Sequence, residues 1–142
     1  MQITQYVVSL EIARKLKELG YPQKPSLFYW VLIDRNKNFW RPLPCALNAL
    51  NDNYEIGDNI AAPISDEVLE KLQKEIEIDG KYYWLTIYYT AGVFFATYRE
   101  AIMDESEGDY LGDQAFPTKM YEKFNPDIIA SLWMKLKEGN YL

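Results

Sequence analysis

The sequence predicts an α+β protein with a mainly antiparallel sheet of about five strands and three helices, in the order α-β-β-α-β-β-β-α. Apolar stripes at helical spacing alternate with aromatic and β-branched runs, and short turn sequences join consecutive runs. Because short turns connect antiparallel neighbours, the helices are expected to cover one face of the sheet. The length of 142 residues predicts a single α+β domain over residues 1–142.

Each helix is predicted from an apolar stripe with its own start signal. Ser9 can cap the first helix, Ser65 the second and Asn125 the third, where Pro126 follows at the first helical position. The stripe of the second helix is Val68, Leu69, Leu72 and Ile76, and that of the third is Ile128, Ile129, Leu132, Trp133 and Leu136.

The strands are predicted from runs bounded by turn residues. Asp79-Gly80 and Ala91-Gly92 are two-residue turn sequences that join the last three strands into a meander. Proline removes a ladder hydrogen bond, so Pro42 and Pro44 are expected to cut the second strand short. The predicted runs are Leu27–Ile33, a return strand from Phe39, the segment before Asp79, residues 81–90 and residues 93–98.

Two intervals are interpreted as loops: residues 45–63, rich in Asn, Asp and Gly, and an acidic insertion at about residues 104–115. The net charge is +4 over residues 1–45, −7 over residues 46–80 and −3 over residues 81–142, which gives −6 for the chain. An acidic total argues against nucleic acid as a partner, because phosphates attract basic surfaces.

The residue types exclude several kinds of chemistry. The chain has no His and one Cys, which removes imidazole metal sites, Ser–His and Cys–His nucleophiles and an internal disulfide. Cys45 is interpreted as a partly buried structural residue. The acidic segments lack the ligand spacing of an EF-hand, and the glycines lack the spacing of a phosphate-binding loop. We therefore expect no catalytic residue, no metal site and no cofactor.

The first residues have neither a basic region nor a continuous apolar run, so no secretory signal is predicted. The longest apolar run, Leu27–Ile33, has seven residues, whereas a membrane-spanning helix needs about 20. A lone cysteine fits a reducing compartment. The expected location is the cytoplasm, without a membrane partner.

Aromatic residues make up 15% of the chain and occupy both faces of the predicted strands. An antiparallel sheet with one solvated face would instead alternate apolar and polar residues. Three explanations stay open: helices and loops cover both faces, one face meets a partner or a second copy, or one face lines a small-ligand groove. The candidate binding residues are Trp30, Tyr82, Trp84 and Tyr88.

Several segments carry a family resemblance: Ser9-Leu-Glu-Ile-Ala13, Leu16-Lys-Glu-Leu-Gly-Tyr-Pro-Gln23, Phe28-Tyr29-Trp30-Val31, Ala62-Pro63 and Gly80-Lys-Tyr-Tyr-Trp84. In these the chain resembles small uncharacterised proteins encoded by phages, prophages and mobile elements of Bacteroidetes-type bacteria. The resemblance covers about two-thirds of the chain, and the acidic insertion departs from it. The resemblance implies an origin in a phage or mobile element, and it identifies no functional residue.

The expected function is that of a non-enzymatic accessory protein of a phage or mobile element. It would bind a host or phage protein through the aromatic sheet face, with the acidic loops orienting the partner. The alternatives are a small hydrolase that uses carboxylates and tyrosines, and a small-ligand-binding protein. A homodimer is another way to cover the same face.

Overall fold

The computed structural model describes residues 2–45 and 59–142. All strand pairing in its two sheets is antiparallel, and the predicted α+β class is confirmed. Within these segments, every helix is too short or too polar to cross a bilayer. The described elements are a 3-10 helix Ile3–Gln5, α1 Leu10–Glu18, β1 Phe28–Asp34, β2 Phe39–Pro44, β3 Ile60–Ala61, α2 Ser65–Lys71, β4 Glu75–Ile78, β5 Lys81–Thr90, β6 Val93–Ile102, β7 Tyr110–Ala115 and α3 Pro126–Glu138.

The strands form two sheets rather than one, and the described segments contain seven strands where the sequence predicts about five. β3 lies in the interval interpreted as a loop, of which residues 46–58 are outside the described residues. β7 occupies residues 110–115, so the acidic insertion is a loop only over residues 104–109. Both strands lie at a sheet edge. An edge strand is held by hydrogen bonds to a single neighbour. It therefore needs no alternation of apolar and polar residues, which is the pattern that predicts a strand from sequence.

The three-stranded sheet has the order β2-β1-β3, with β1 in the centre. Trp30 of β1 lies opposite Pro42 on one side and Ile60 on the other. β2 continues through Pro44, although the prolines are expected to end it. An edge strand tolerates proline because the missing N–H can face away from its neighbour.

The four-stranded sheet has the order β4-β5-β6-β7 and contains the predicted meander. Its two tight turns have positive φ at both central residues, 52° and 79° at Asp79-Gly80 and 49° and 79° at Ala91-Gly92. This is the conformation of a type I′ turn, which matches the twist of the paired strands. The sequence predicts both turns correctly because the requirement for positive φ is local.

One hydrophobic core joins both sheets and the three described helices. α3 lies at its centre, with seven buried residues and contacts to α1, α2 and β6. Trp30 enters this core from the three-stranded sheet, and Ala96 and Tyr98 enter it from the four-stranded sheet. The helices therefore pack on the face of the four-stranded sheet that carries Ala96 and Tyr98.

The predicted caps of α1 and α3 are confirmed. Ser9 Oγ accepts a hydrogen bond from the Ile12 amide at 3.3 Å, and Asn125 Oδ1 accepts one from the Asp127 amide at 3.0 Å. The Ser9 amide also donates to Asp127 Oδ1 at 2.8 Å. This bond ties the start of α1 to the start of α3 across 118 positions of sequence.

The ends of α2 differ from the prediction. Its N-cap is Ile64 rather than Ser65, and the Ile64 amide donates to Glu67 Oε2 at 2.9 Å. The helix ends at Lys71, so Ile76 lies on β4. Ile76 is nevertheless buried in the core. The sequence therefore predicts the burial of Ile76 correctly and its place in a helix wrongly.

Candidate functional site

The four-stranded sheet carries three of the four candidate residues on the face opposite the helices. Alternate residues of a strand point to opposite faces, and Tyr83 and Leu85 of β5 pack against the core. Tyr82, Trp84 and Tyr88 therefore lie on the other face. The side chains of Tyr82 and Trp84 are 52% and 39% exposed.

Trp30 does not belong with these residues, which corrects the predicted grouping. It lies on β1 of the other sheet and is only 8% exposed. Its Nε1 donates to the Val8 carbonyl at 3.0 Å. Burial with a satisfied N–H makes Trp30 a core residue.

We call the surface that carries Tyr82 and Trp84 the open face and define it by strand pairing. Residues directly opposite each other in antiparallel strands share a face. The register pairs Glu75 and Arg99 with Trp84, Glu77 with Tyr82, and Phe95 with Tyr88. The open face includes Glu75, Glu77, Tyr82, Trp84, Thr86, Tyr88, Phe95, Thr97 and Arg99.

The indole of Trp84 is held in place by a carboxylate. Its Nε1 donates to Glu75 Oε2 at 2.7 Å, between directly paired residues of β5 and β4. A charge-assisted hydrogen bond of this length orients the ring on the sheet. The faces of the indole and the second oxygen of Glu75 are left for other contacts.

The guanidinium of Arg99 is already engaged within the protein. Its Nε donates to the Gly112 carbonyl at 2.5 Å, its Nη2 to the Leu111 carbonyl at 3.0 Å, and its Nη1 to the Tyr88 hydroxyl at 2.5 Å. The pairing of β6 with β7 shifts register at this point, between Arg99 and Ala101. Arg99 thus donates to two carbonyls beside the register shift, where the regular pairing of β6 with β7 is interrupted.

The two ends of the open face differ in burial. At one end Tyr88 stacks on Phe95, with ring centroids 5.0 Å apart and planes 18° apart, and Phe95 is only 7% exposed. At the other end Tyr82 and Trp84 are exposed. The surface available to a ligand is therefore the Tyr82–Trp84 end.

A small apolar groove of about 110 Å³ adjoins Trp84. It is lined by Trp84, Ala101, Ile102, Met103, Asp109, Tyr110 and Leu111. These residues come from β5, β6, β7 and the connection between β6 and β7, which contains the acidic loop. The groove brings that loop next to the exposed end of the open face.

The acidic loop is ordered by Asp104. The Asp104 Oδ1 atom accepts hydrogen bonds from the Ser106 hydroxyl at 2.8 Å and from the amides of Ser106 and Glu107 at 2.8 and 3.2 Å. These bonds, first of all that from the Ser106 hydroxyl, lower the pKa of the Asp104 carboxyl. Asp104 therefore keeps its negative charge at neutral pH.

The sequence does not identify Glu75, Glu77 and Arg99 as members of the open face. Strand alternation places Arg99 on the same face as Phe95, but the predicted strand ends at Tyr98, four residues before the end of β6 at Ile102. The sequence predicts that Glu75 lies in a helix, whereas in the structure it lies on β4 and pairs with Trp84 of β5.

No group of three Cys, Asp or Glu side chains within residues 2–45 and 59–142 could hold a metal ion. Cys45 is exposed, whereas the sequence predicts a partly buried structural cysteine. The strand β2 ends at Pro44, so Cys45 follows an edge strand and not a core strand.

Comparisons with protein-family models, with curated proteins and with solved structures found no match to this chain.

Proposed function

We propose that this chain is a non-enzymatic protein-binding module whose contact surface is the Tyr82–Trp84 end of the open face. The observation that carries the proposal is the exposure of these two aromatic residues side by side on a hydrogen-bonded sheet. Tyr and Trp are enriched at protein interfaces because they combine large contact area with a polar tip.

The fixed orientation of the Trp84 indole supports a role in binding. The hydrogen bond from Trp84 to Glu75 orients the indole before any partner arrives. An anchor that is already oriented loses less side-chain entropy on binding than a mobile one. Trp84 is therefore the proposed hot spot, and Tyr82 is its neighbour on the same face.

The negative charges around Trp84 support the proposal that acidic groups orient the partner. Glu75 and Glu77 lie on one side of Tyr82 and Trp84, and Asp109 of the acidic loop lies on the other. Such charges act on the rate and geometry of association more than on the final affinity. A partner would approach with a complementary basic region.

The proposed setting follows the family resemblance. We place the protein in the cytoplasm as an accessory protein of a phage or mobile element, and we propose that its partner is a host or phage protein. Stoichiometric binding is sufficient for such a role.

The test is affinity capture from a bacterial lysate with the wild type, Trp84→Ala and the matched control Phe39→Ala. Phe39 is an exposed aromatic residue on β2 of the other sheet. Loss of a hot-spot side chain weakens binding by roughly tenfold or more. We expect the wild type and Phe39→Ala to retain a partner that Trp84→Ala loses.

Thermal unfolding of all three proteins checks that the variants are folded. The proposal fails if no protein is enriched by the wild type, or if folded Trp84→Ala retains the same partner as well as the wild type does.

A further inference from the structure

We propose that the open face binds an extended protein segment that carries arginine residues at two alternate positions, Arg-x-Arg. This inference rests on the proposed function and adds the chemistry of the partner. It is carried by the pairing of two carboxylates with two exposed aromatic rings.

Two acid–aromatic pairs lie side by side on the open face. Glu75 is directly opposite Trp84, and Glu77 is directly opposite Tyr82. The pairs are two residues apart on both strands, which corresponds to a separation of about 7 Å. An extended peptide places its alternate side chains on one face at the same separation, so one such peptide can address both pairs.

A cationic side chain fits each pair. A cation over the face of an exposed indole or phenol ring is attracted by the ring quadrupole. The neighbouring carboxylate offers a charge-assisted hydrogen bond. At Trp84 both contacts are available, because Nε1 uses only Oε2 of Glu75 and leaves Oε1 free of that bond.

Arginine fits this arrangement better than lysine. The guanidinium is planar, so it can stack on a ring and donate in the same plane to a carboxylate. The ammonium of lysine is compact and strongly hydrated, and it cannot stack. The Glu75–Trp84 pair thus favours an arginine at the first of the two positions.

The two basic residues of β5 and β6, Lys81 and Arg99, bind groups other than Glu75 and Glu77. Arg99 donates to the carbonyls of Leu111 and Gly112 and to Tyr88. Lys81 lies next to Tyr82 in sequence and forms an ion pair with Glu100 at 3.7 Å. The negative charge of Glu75 and Glu77, with Asp109 beyond Trp84, is therefore suited to a cation from outside.

The test measures binding of three synthetic peptides to the whole protein. The first carries Arg-x-Arg in a β-forming sequence, the second has the same composition with adjacent arginines, and the third has glutamates in place of the arginines. We expect the first peptide to bind roughly tenfold more tightly than the second, because adjacent arginines point to opposite faces of an extended chain. The third peptide should not bind.

The protein variants test the site. In Glu75→Gln/Glu77→Gln the affinity for the Arg-x-Arg peptide should fall roughly tenfold, since hydrogen bonds to charged groups are lost. The matched control Glu70→Gln/Glu122→Gln removes the same charge from exposed residues outside the open face and should bind as the wild type does. In wild-type spectra, the indole N–H resonance of Trp84 should shift on binding, while that of Trp40, which donates to Asn38, should not.

The outcomes separate this inference from the proposed function. If Trp84→Ala loses a captured partner but the Arg-x-Arg peptide does not bind, the inference fails and the proposed function stands. Equal binding of the first two peptides, or equal effects of the two double variants, also overturns the inference. If the wild type self-associates and the peptide does not dissociate it, the occupant is a second copy and the inference fails.

Discussion

Tyr98 and Tyr21 are both buried in the core, but their hydroxyl groups differ in hydrogen bonding. The Tyr98 hydroxyl donates to the Gln73 carbonyl at 2.6 Å. The Tyr21 ring packs edge-on against Trp133 at 5.1 Å, and its hydroxyl has no hydrogen-bond partner among the described residues. Burial raises the pKa of both phenols well above the usual value, and at Tyr21 the nearby Glu67 and Glu70 add to the shift.

The raised pKa values predict a loss of stability at alkaline pH. The folded state keeps both phenols protonated, whereas the unfolded state releases their protons above pH of about 10. The contribution of these two tyrosines to the free energy of unfolding is therefore constant below that pH and falls above it, by up to about 1.4 kcal/mol per pH unit for each tyrosine. Urea unfolding between neutral and strongly alkaline pH measures this slope.

The two phenylalanine variants identify the groups responsible. Tyr98→Phe should cost about 1 kcal/mol at neutral pH because it removes a hydrogen bond. Tyr21→Phe should cost less than Tyr98→Phe, because its hydroxyl has no described partner. Both variants should flatten the alkaline slope. An unchanged slope in the double variant would contradict the assignment.

At the scale of elements, side chains from distant parts of the chain complete strands and helices. β7 is an edge strand whose register shift is bridged by Arg99 of β6, and α1 begins at an amide held by Asp127 of α3. In both cases a charged side chain forms hydrogen bonds with backbone groups at a place where regular pairing is interrupted or begins. The stability of these elements therefore depends on single side chains elsewhere.

Arg99→Met should loosen β7. The variant keeps an unbranched stem but removes the donors to Leu111 and Gly112, so we expect a loss of about 2 kcal/mol in the free energy of unfolding. Amide hydrogen exchange should rise in β7 more than in β4. Arg41→Met, an exposed arginine on β2, is the control and should have little effect. Wild-type exchange rates in β7 of Arg99→Met would refute the role of this side chain.

Asp127→Ala should destabilise the start of α1, because Asp127 holds the amide of Ser9, which is 118 residues away in sequence. It leaves the Asn125 cap of α3 intact, because that cap uses the backbone amide of Asp127. We expect a cost of about 1–2 kcal/mol, since a charge-assisted bond to the Ser9 amide is lost. Asp66→Ala removes a first-turn acid from α2 and should cost less, about 0.3–1 kcal/mol. Equal costs would show that only the helix dipole is involved.

At the scale of the whole molecule, the distribution of charge bears on self-association. The exposed aromatic end of the open face is flanked by acidic groups, and the chain carries a net charge of −6. Two copies that met through this face would bring like charges close together, which disfavours a symmetric contact. The homodimer considered from sequence is therefore the less favoured way to cover the face.

Light scattering over a wide range of protein concentration tests this expectation. The mass should stay near 16.7 kDa at low ionic strength. Glu75→Gln/Glu77→Gln should associate more readily than the wild type, because the repulsion is reduced. A wild-type mass that doubles with concentration would contradict the charge argument and favour the dimer.

Local interactions are what the sequence by itself determined. The Asp79-Gly80 and Ala91-Gly92 turns, the Ser9 cap and the Asn125-Pro126 start of α3 each depend on residues within a few positions. Their conformational preferences act in any fold, so they could be predicted. The α+β class followed, because these signals delimit most of the helices and strands.

Only the tertiary structure decided how the strands are divided between two sheets and which aromatic residues face outward. Trp30 and Trp84 stand in similar aromatic strands, yet one donates to Val8 inside the core and the other lies exposed beside Glu75. Strand alternation separates two faces without saying which one the helices cover. Burial depends on what packs from distant parts of the chain, and that is settled by long-range contacts that no local pattern contains.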